Sequence, residues 1–198
     1  PLQKYPAYPQ KSPLIFYEDR DFIKPGEWGK IEFSRGCIFN CSFCNFPVLG
    51  VKEDYTRDRP TIKDQMLHAY DNYGIENYLI TDETFNDKSD KLSDIADIVE
   101  SLPWNPYMSG FIRADLLINR KRDREDLLRM GMLGHFYGIE TFNKESAKFI
   151  GKGLDPEKMK AGLVDIKNYF NEQSNNKYRA NISLIAGLPH ETKESLDN

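Results

Sequence analysis

Cysteine is scarce in this sequence, and what there is lies in one place. Cys37, Cys41 and Cys44 fall within eight positions of the stretch SRGCIFNCSFCNF, and none occurs elsewhere in the 198 residues. Three thiols cannot pair completely, so a closed disulfide framework is excluded; in a reducing compartment such a cluster serves as metal ligands or redox groups. Long apolar runs are missing too. No stretch approaches the roughly 20 residues needed to cross a bilayer, and the opening PLQKYPAYPQKSPL lacks the apolar segment of a signal peptide. These absences predict a cytoplasmic protein with no membrane partner. Positive charge is not in excess: a net charge of -4 provides no global field for nucleic acid. The basic run NRKRDR at residues 119–124 is diluted by Asp123, Glu125 and Asp126, and reads as a solvated loop and helix start rather than a nucleic-acid patch.

What is present suits one packed domain. Hydrophobic residues make up 39% of the chain and aromatic residues 13%, enough for a single sizeable core. Residues 1–29 carry Pro6, Pro9, Pro13 and Pro25 among tyrosines and charges and read as an extended arm; residues 30–198 read as the core domain. Strand signals lie at residues 30–34, 77–83, 107–115, 134–141 and 179–189. Between them run helical patterns: Ile62, Met66, Ala69, Tyr70 and Tyr73 after Pro60 and Thr61; Leu92, Ile95, Ala96, Val99 and Leu102 behind a Ser89 cap; and Met159, Leu163, Ile166 and Phe170 behind Asp155 and Pro156. A shorter helix is expected near residues 124–130. Strands alternating with helices predict an α/β protein of parallel βα units, and five in a row with right-handed crossovers curl into a partial barrel. In such sheets chemistry sits in the loops at the carboxyl ends of the strands.

The cysteines begin directly after the first strand, in one of those loops. C-x3-C-x2-C lets three thiolates converge on one object, and no fourth cysteine exists. A structural zinc would need a histidine at the fourth corner. His68 lies off the apolar stripe of its helix and His135 starts a strand, which leaves His190, after a Gly-Leu-Pro turn, as the plausible ligand. The preferred reading is an iron–sulfur cluster with three thiolates and one open iron.

On these residues the sequence resembles the radical S-adenosylmethionine (radical SAM) enzymes, from about residue 30 to the end. C-x3-C-x2-C with an aromatic, Phe43, before the last cysteine is that family's signature; LITDETF, GFIRADLL, GIET with the later GKG, and LIAGLPHET match its second to fifth βα units in order. The resemblance implies a TIM-like (β/α)6 barrel with about five units present, a [4Fe-4S] cluster on Cys37, Cys41 and Cys44, and S-adenosylmethionine (SAM) on the open iron. It further implies that Glu83 or Asp82 accepts hydrogen bonds from the methionine amine, that Arg113 pairs with its carboxylate and that Glu140 holds the ribose hydroxyls. Gly187 would give backbone access to the adenine, and the main chain at Phe43 would meet the base edge. The implied reaction is reductive cleavage of SAM to a 5'-deoxyadenosyl radical that takes hydrogen from a substrate, with electrons from a donor such as flavodoxin or ferredoxin. Each acid and the arginine also has a packing reading: Asp82 or Glu83 as a helix cap, Arg113 as the partner of Asp115, Glu140 as a strand-end side chain beside Gly138.

Thr81 and Asp82 stand where two glycines often precede the second-strand glutamate, a variant that resembles the cobalamin-linked and tRNA-methylthiolating branch. The three cysteines leave no thiolate for a second cluster, and a 29-residue arm is too short for a cobalamin domain. The substrate is not legible. A non-catalytic zinc or iron–sulfur module, with His190 as a further ligand, is the alternative from another class. The last stretch, HETKESLDN, with Thr192 as a cap, reads as the opening of a fifth helix, so the core domain is expected to be C-terminally incomplete, with the strand around residues 181–186 unpaired at one edge.

Overall fold

The computed structural model describes residues 17–21, 24, 26–46, 55–152 and 155–197. Along the chain come β1 (Gly29–Ile31), a short antiparallel pair of β2 (Ser34–Arg35) with β3 (Tyr55–Thr56), α1 (Arg59–Tyr73), β4 (Tyr78–Ile80) and α2 (Ser89–Glu100). Then follow β5 (Met108–Ile112), α3 (Ala114–Asn119), α4 (Asp123–Arg129), β6 (Met132–Glu140), α5 (Lys144–Phe149), α6 (Pro156–Gln173), β7 (Arg179–Leu184) and α7 (Lys193–Asp197). The main sheet has the order β1-β4-β5-β6-β7, and every neighbouring pair is parallel. A sheet wound in one direction, with a helical crossover between successive strands, is the partial TIM-like barrel expected from the alternation.

The helices form where the sequence supplies both a stripe and a start. Asp58 caps α1 by accepting from Thr61 N at 2.8 Å, with Pro60 in the first turn. Gly74 closes that helix in the left-handed region at φ 63°, where its N–H reaches Tyr70 O. Asp155 caps α6 in the same way, through the N–H groups of Glu157 and Lys158, and Pro156 follows it. Ser89 is a correction: it is the first residue of α2, and the cap position, Lys88, makes no side-chain cap bond. Ile62, Met66, Leu92, Ile95, Ile166 and Phe170 are buried against the sheet, which contributes Ile31, Ile80, Met108 and Met132.

Two other expectations shift. The first strand, expected across residues 30–34, ends at Ile31 because Phe33 N and Ser34 N bond to the Asp82 carboxylate instead of to a strand. The segment after β5 turns helical as α3, and α5 follows β6; six residues each are too few to show a helical period in sequence. The expected arm lies mostly outside the described residues, but Tyr17 is placed. Its hydroxyl accepts from Lys30 N at 2.6 Å and donates to Lys30 O at 3.2 Å, occupying part of the β1 edge. At the other edge, β7 is exposed along its length, with Ile182 at 48% and Leu184 at 58%, and an apolar groove of about 420 Å³ lies between it and α6.

One buried polar chain ties β6 to Tyr178, the residue that leads into β7. His135 Nε2 donates to Met132 O at 2.9 Å, so Nδ1 accepts from Tyr137 OH at 2.6 Å, which in turn accepts from Tyr178 OH at 3.0 Å. The ring also meets Phe170 edge-on. Burial lowers the His135 pKa from 6.5 to about 4, against a weaker upward pull from Met132 O. A depressed folded pKa contributes stability above pH 6.5 that is lost as pH falls toward 4. Denaturant titrations should therefore show wild type losing on the order of 3 kcal/mol relative to His135→Gln between pH 7 and 4, at about 1.4 kcal/mol per pKa unit; a pH-independent difference would refute this.

Candidate cofactor-binding site

The cysteine loop leaves β1 through a backbone turn fixed by one carboxylate. Asp82, at the end of β4 and 1% exposed, accepts from Phe33 N at 2.8 Å, Ser34 N at 2.9 Å and Ser34 Oγ at 2.7 Å. Lys91 of α2 lies behind it: its ammonium donates to Ser34 Oγ at 3.0 Å and to Thr84 O at 3.4 Å, and pairs with Asp87 at 2.5 Å. Burial pushes the Asp82 carboxyl up to about 7, opposed by Lys91 and by the three donors. Farther along, Ser42 N donates to Ile150 O at 3.2 Å, and Gly151, at φ 78°, packs where a Cβ would stand 3.6 Å from Asn40 O. The loop is thus braced from β4 on one side and from the end of α5 on the other.

All three cysteines line one cleft of about 170 Å³ at the carboxyl ends of β4, β5 and β6. Each sulfur has a different polar neighbour: Thr84 Oγ1 at 3.4 Å for Cys37, Arg113 Nη1 at 3.8 Å for Cys41, and Phe46 N at 3.4 Å for Cys44. Among the described residues no three His, Cys, Asp or Glu side chains are drawn together as a metal site, so the thiols share the cleft without converging. Their chemistry nonetheless fits an iron–sulfur cluster: three soft donors on a short loop, with donors at hand for the sulfurs.

Four charged side chains share the cleft walls: Glu83, Arg113, Glu140 and Lys152. In the loop that follows β4 the two acids face opposite ways: Glu83 lines the cleft and Asp82 is buried in the core. Glu140 ends β6 at φ 71°, a strained backbone state for a residue with a Cβ, typically costing about 1–3 kcal/mol and recurring at functional sites. Gly138 makes room for it, since a Cβ there would stand 2.5 Å from Glu140 Oε1. Lys152 Nζ donates to Gly138 O at 2.6 Å and lies 3.9 Å from Glu140 Oε1. Burial raises the Glu140 pKa, and Lys152 opposes the rise. Arg113 uses its fork on Asp115, at 3.0 Å from Nε and 2.7 Å from Nη2.

The structure therefore gathers Cys37, Cys41, Cys44, Phe43, Glu83, Arg113 and Glu140 at one cleft. It places Asp82, Gly187 and the histidines elsewhere. Asp82 is sealed in the core by its bonds to the turn, which corrects its assignment as an amine contact. Gly187, at φ 87°, is exposed outside the cleft lining, with its N–H on Glu191 Oε2 at 2.8 Å, so its adenine contact is not formed by the cleft as it stands. The three histidines also lie away from the cleft lining: His68 is near Asn72, His135 is buried, and His190 packs on Phe149. Lys152 escaped the sequence reading; the signal for it was the basic centre of GKG, twelve residues beyond Glu140.

The family model described as "Radical SAM superfamily" matches residues 31–198. A curated protein of Pyrococcus horikoshii, named as an uncharacterised methyltransferase, is 23% identical over 170 residues, covering 86% of this chain and 35% of the relative. Among solved structures, the radical S-adenosylmethionine methyltransferase TsrM of Kitasatospora setae, described with cobalamin and a [4Fe-4S] cluster bound, is similar with a TM-score of 0.71 and 19% identity. That match covers 90% of this chain and 32% of TsrM. Coproporphyrinogen III oxidase (HemN) of Escherichia coli, described as a radical SAM enzyme, is similar at TM-score 0.57 and 20% identity over 98% of this chain and 46% of HemN. The chain spans about a third of the length of the first two relatives.

The contrast between the two neighbouring acids can be measured. Asp82→Ala leaves two buried N–H groups and a hydroxyl without their acceptor and should cost on the order of 3 kcal/mol in urea unfolding. Glu83→Ala, at an exposed cleft position, should cost less than about 1 kcal/mol. Equal costs would contradict the division of roles drawn here.

Proposed function

The chain belongs to the radical SAM superfamily, and from that premise we propose that the cleft holds a [4Fe-4S] cluster on Cys37, Cys41 and Cys44 with SAM beside it. The observation that carries the reading is the meeting of all three thiols and four opposed charges in one strand-end cleft. When bound, the cluster and SAM supply reductive cleavage to a 5'-deoxyadenosyl radical, which abstracts hydrogen from a substrate.

The protein's part is to bind, orient and exclude water. Glu83 is placed to accept from the methionine amine. Lys152 spends one N–H on Gly138 O, and the other two can meet the methionine carboxylate, a role the sequence had given to Arg113. Glu140 accepts from the ribose hydroxyls, with Lys152 opposing its protonation so that it can act as a carboxylate. Phe111 and Phe136, with ring centroids 5.6 Å apart, give the cleft an apolar wall beside these charges. The electron comes from an external donor such as flavodoxin or ferredoxin in the cytoplasm. The names of the relatives favour one variant, methyl transfer to an unknown acceptor.

Anaerobic reconstitution tests the proposal: wild type should absorb broadly near 400 nm and release 5'-deoxyadenosine with dithionite and SAM. Cys41→Ala should lose the cluster and all cleavage, whereas His190→Ala should keep both; a colourless wild type carrying one zinc would support the non-catalytic module. S-adenosylhomocysteine among the products would assign methyl transfer. Glu140→Gln should keep its iron and bind SAM more weakly by about 1–3 kcal/mol, the range for losing a charge-assisted hydrogen bond. Unchanged affinity would make Glu140 a packing residue.

A further inference from the structure

We infer that Arg113, anchored by Asp115 and seated on Phe39, is a positioning residue that sets the electron affinity of the cluster through Cys41. This rests on the cluster reading above. The backbone of Arg113 is fixed on both sides by one buried amide: Asn86 Oδ1 accepts from Arg113 N at 2.8 Å, and Asn86 Nδ2 donates to Arg113 O at 3.0 Å. Asp115, the second residue of α3, then takes two guanidinium nitrogens in a bidentate pair, and both side chains are largely shielded from water. The third nitrogen, Nη1, faces Cys41 Sγ at 3.8 Å. The guanidinium carbon lies 3.8 Å from the centroid of the Phe39 ring, in the cysteine loop itself. One cation thus touches the loop twice, at a ligand sulfur and at an aromatic ring two residues before it.

This geometry explains why Arg113 is not simply a ligand for a SAM carboxylate. Its bidentate face is committed to Asp115, and the nitrogen that remains points at a ligand sulfur. A guanidinium is always protonated in proteins, so the side chain held by Asp115 is a permanent cation. A fixed positive charge and an N–H beside a ligand sulfur stabilise the more negatively charged, reduced cluster. A SAM contact would act only when SAM is present, whereas this interaction acts in its absence. Lysine keeps the charge but lacks the planar fork and the stacking face, so it holds the cation less firmly.

The test is a redox titration of reconstituted protein without SAM, followed by electron paramagnetic resonance, on wild type, Arg113→Gln and Arg113→Lys. The glutamine variant is expected to titrate at a more negative midpoint, with the lysine variant displaced in the same direction by less. Unchanged midpoints in both variants, with altered SAM affinity alone, would overturn the inference. If Arg113→Gln binds less iron than wild type, Arg113→Lys decides: a midpoint equal to wild type overturns the inference and a more negative one supports it. A wild type that forms no cluster would overturn the cluster reading together with this one, whereas a normal wild-type cluster with unmoved variants overturns this one alone.

Discussion

One carboxylate decides where the cysteine loop begins. By accepting from Phe33 N and Ser34 N, Asp82 ends the first strand three residues early and turns the chain outward at the site where the cysteines follow. A solvent-exposed turn could have used water for those N–H groups; a buried one cannot, and without an acceptor each would oppose folding. Lys91 and Asp87 keep this buried charge in company, and Thr84 extends the same network to Cys37. The site's geometry therefore depends on a group that never enters the site.

Within the cleft, charges come as tethered opposites. Arg113 is tied to Asp115, and Lys152 to the end of β6, where Glu140 is held in a backbone state that few residues with a Cβ adopt. Such anchoring limits rearrangement when a charged ligand arrives, which is what electrostatic preorganisation requires. It also divides labour between the two cations. The guanidinium, planar and multidentate, suits a permanent contact with a carboxylate and a ring, while the ammonium keeps N–H groups for something that comes and goes.

Much of this was legible in the chain because the signals are local. The cysteine spacing needs only eight consecutive residues, and α1 and α6 announce themselves by stripes bounded by Asp58 with Pro60 and by Asp155 with Pro156. The choice between Asp82 and Glu83 was not legible, because it turns on how the loop after β4 meets Phe33 and Ser34, residues almost fifty positions earlier in the chain. Lys152 reaches the cleft by folding back from the end of α5, a contact no local pattern encodes. Arg113 could be read from its position but not its partner, since both the cleft and Asp115 were open to it. Gly187 carried the positive φ that its type suggested, yet lies outside the cleft walls.

The strict sequential order of the sheet has a consequence for how the chain is made. Each parallel strand pairs with the one synthesised just before it in the main sheet, so docking can proceed from the amino end as residues emerge from the ribosome. The cysteine loop emerges before its braces: Asp82 comes with β4, Arg113 after β5, and the Ile150–Gly151 turn only after β6 and α5. Until those segments have emerged, the three thiols sit on an unbraced loop. Oxidation or capture by a stray metal would be easiest in that interval, so insertion of the proper metal group belongs after the fourth parallel strand has docked.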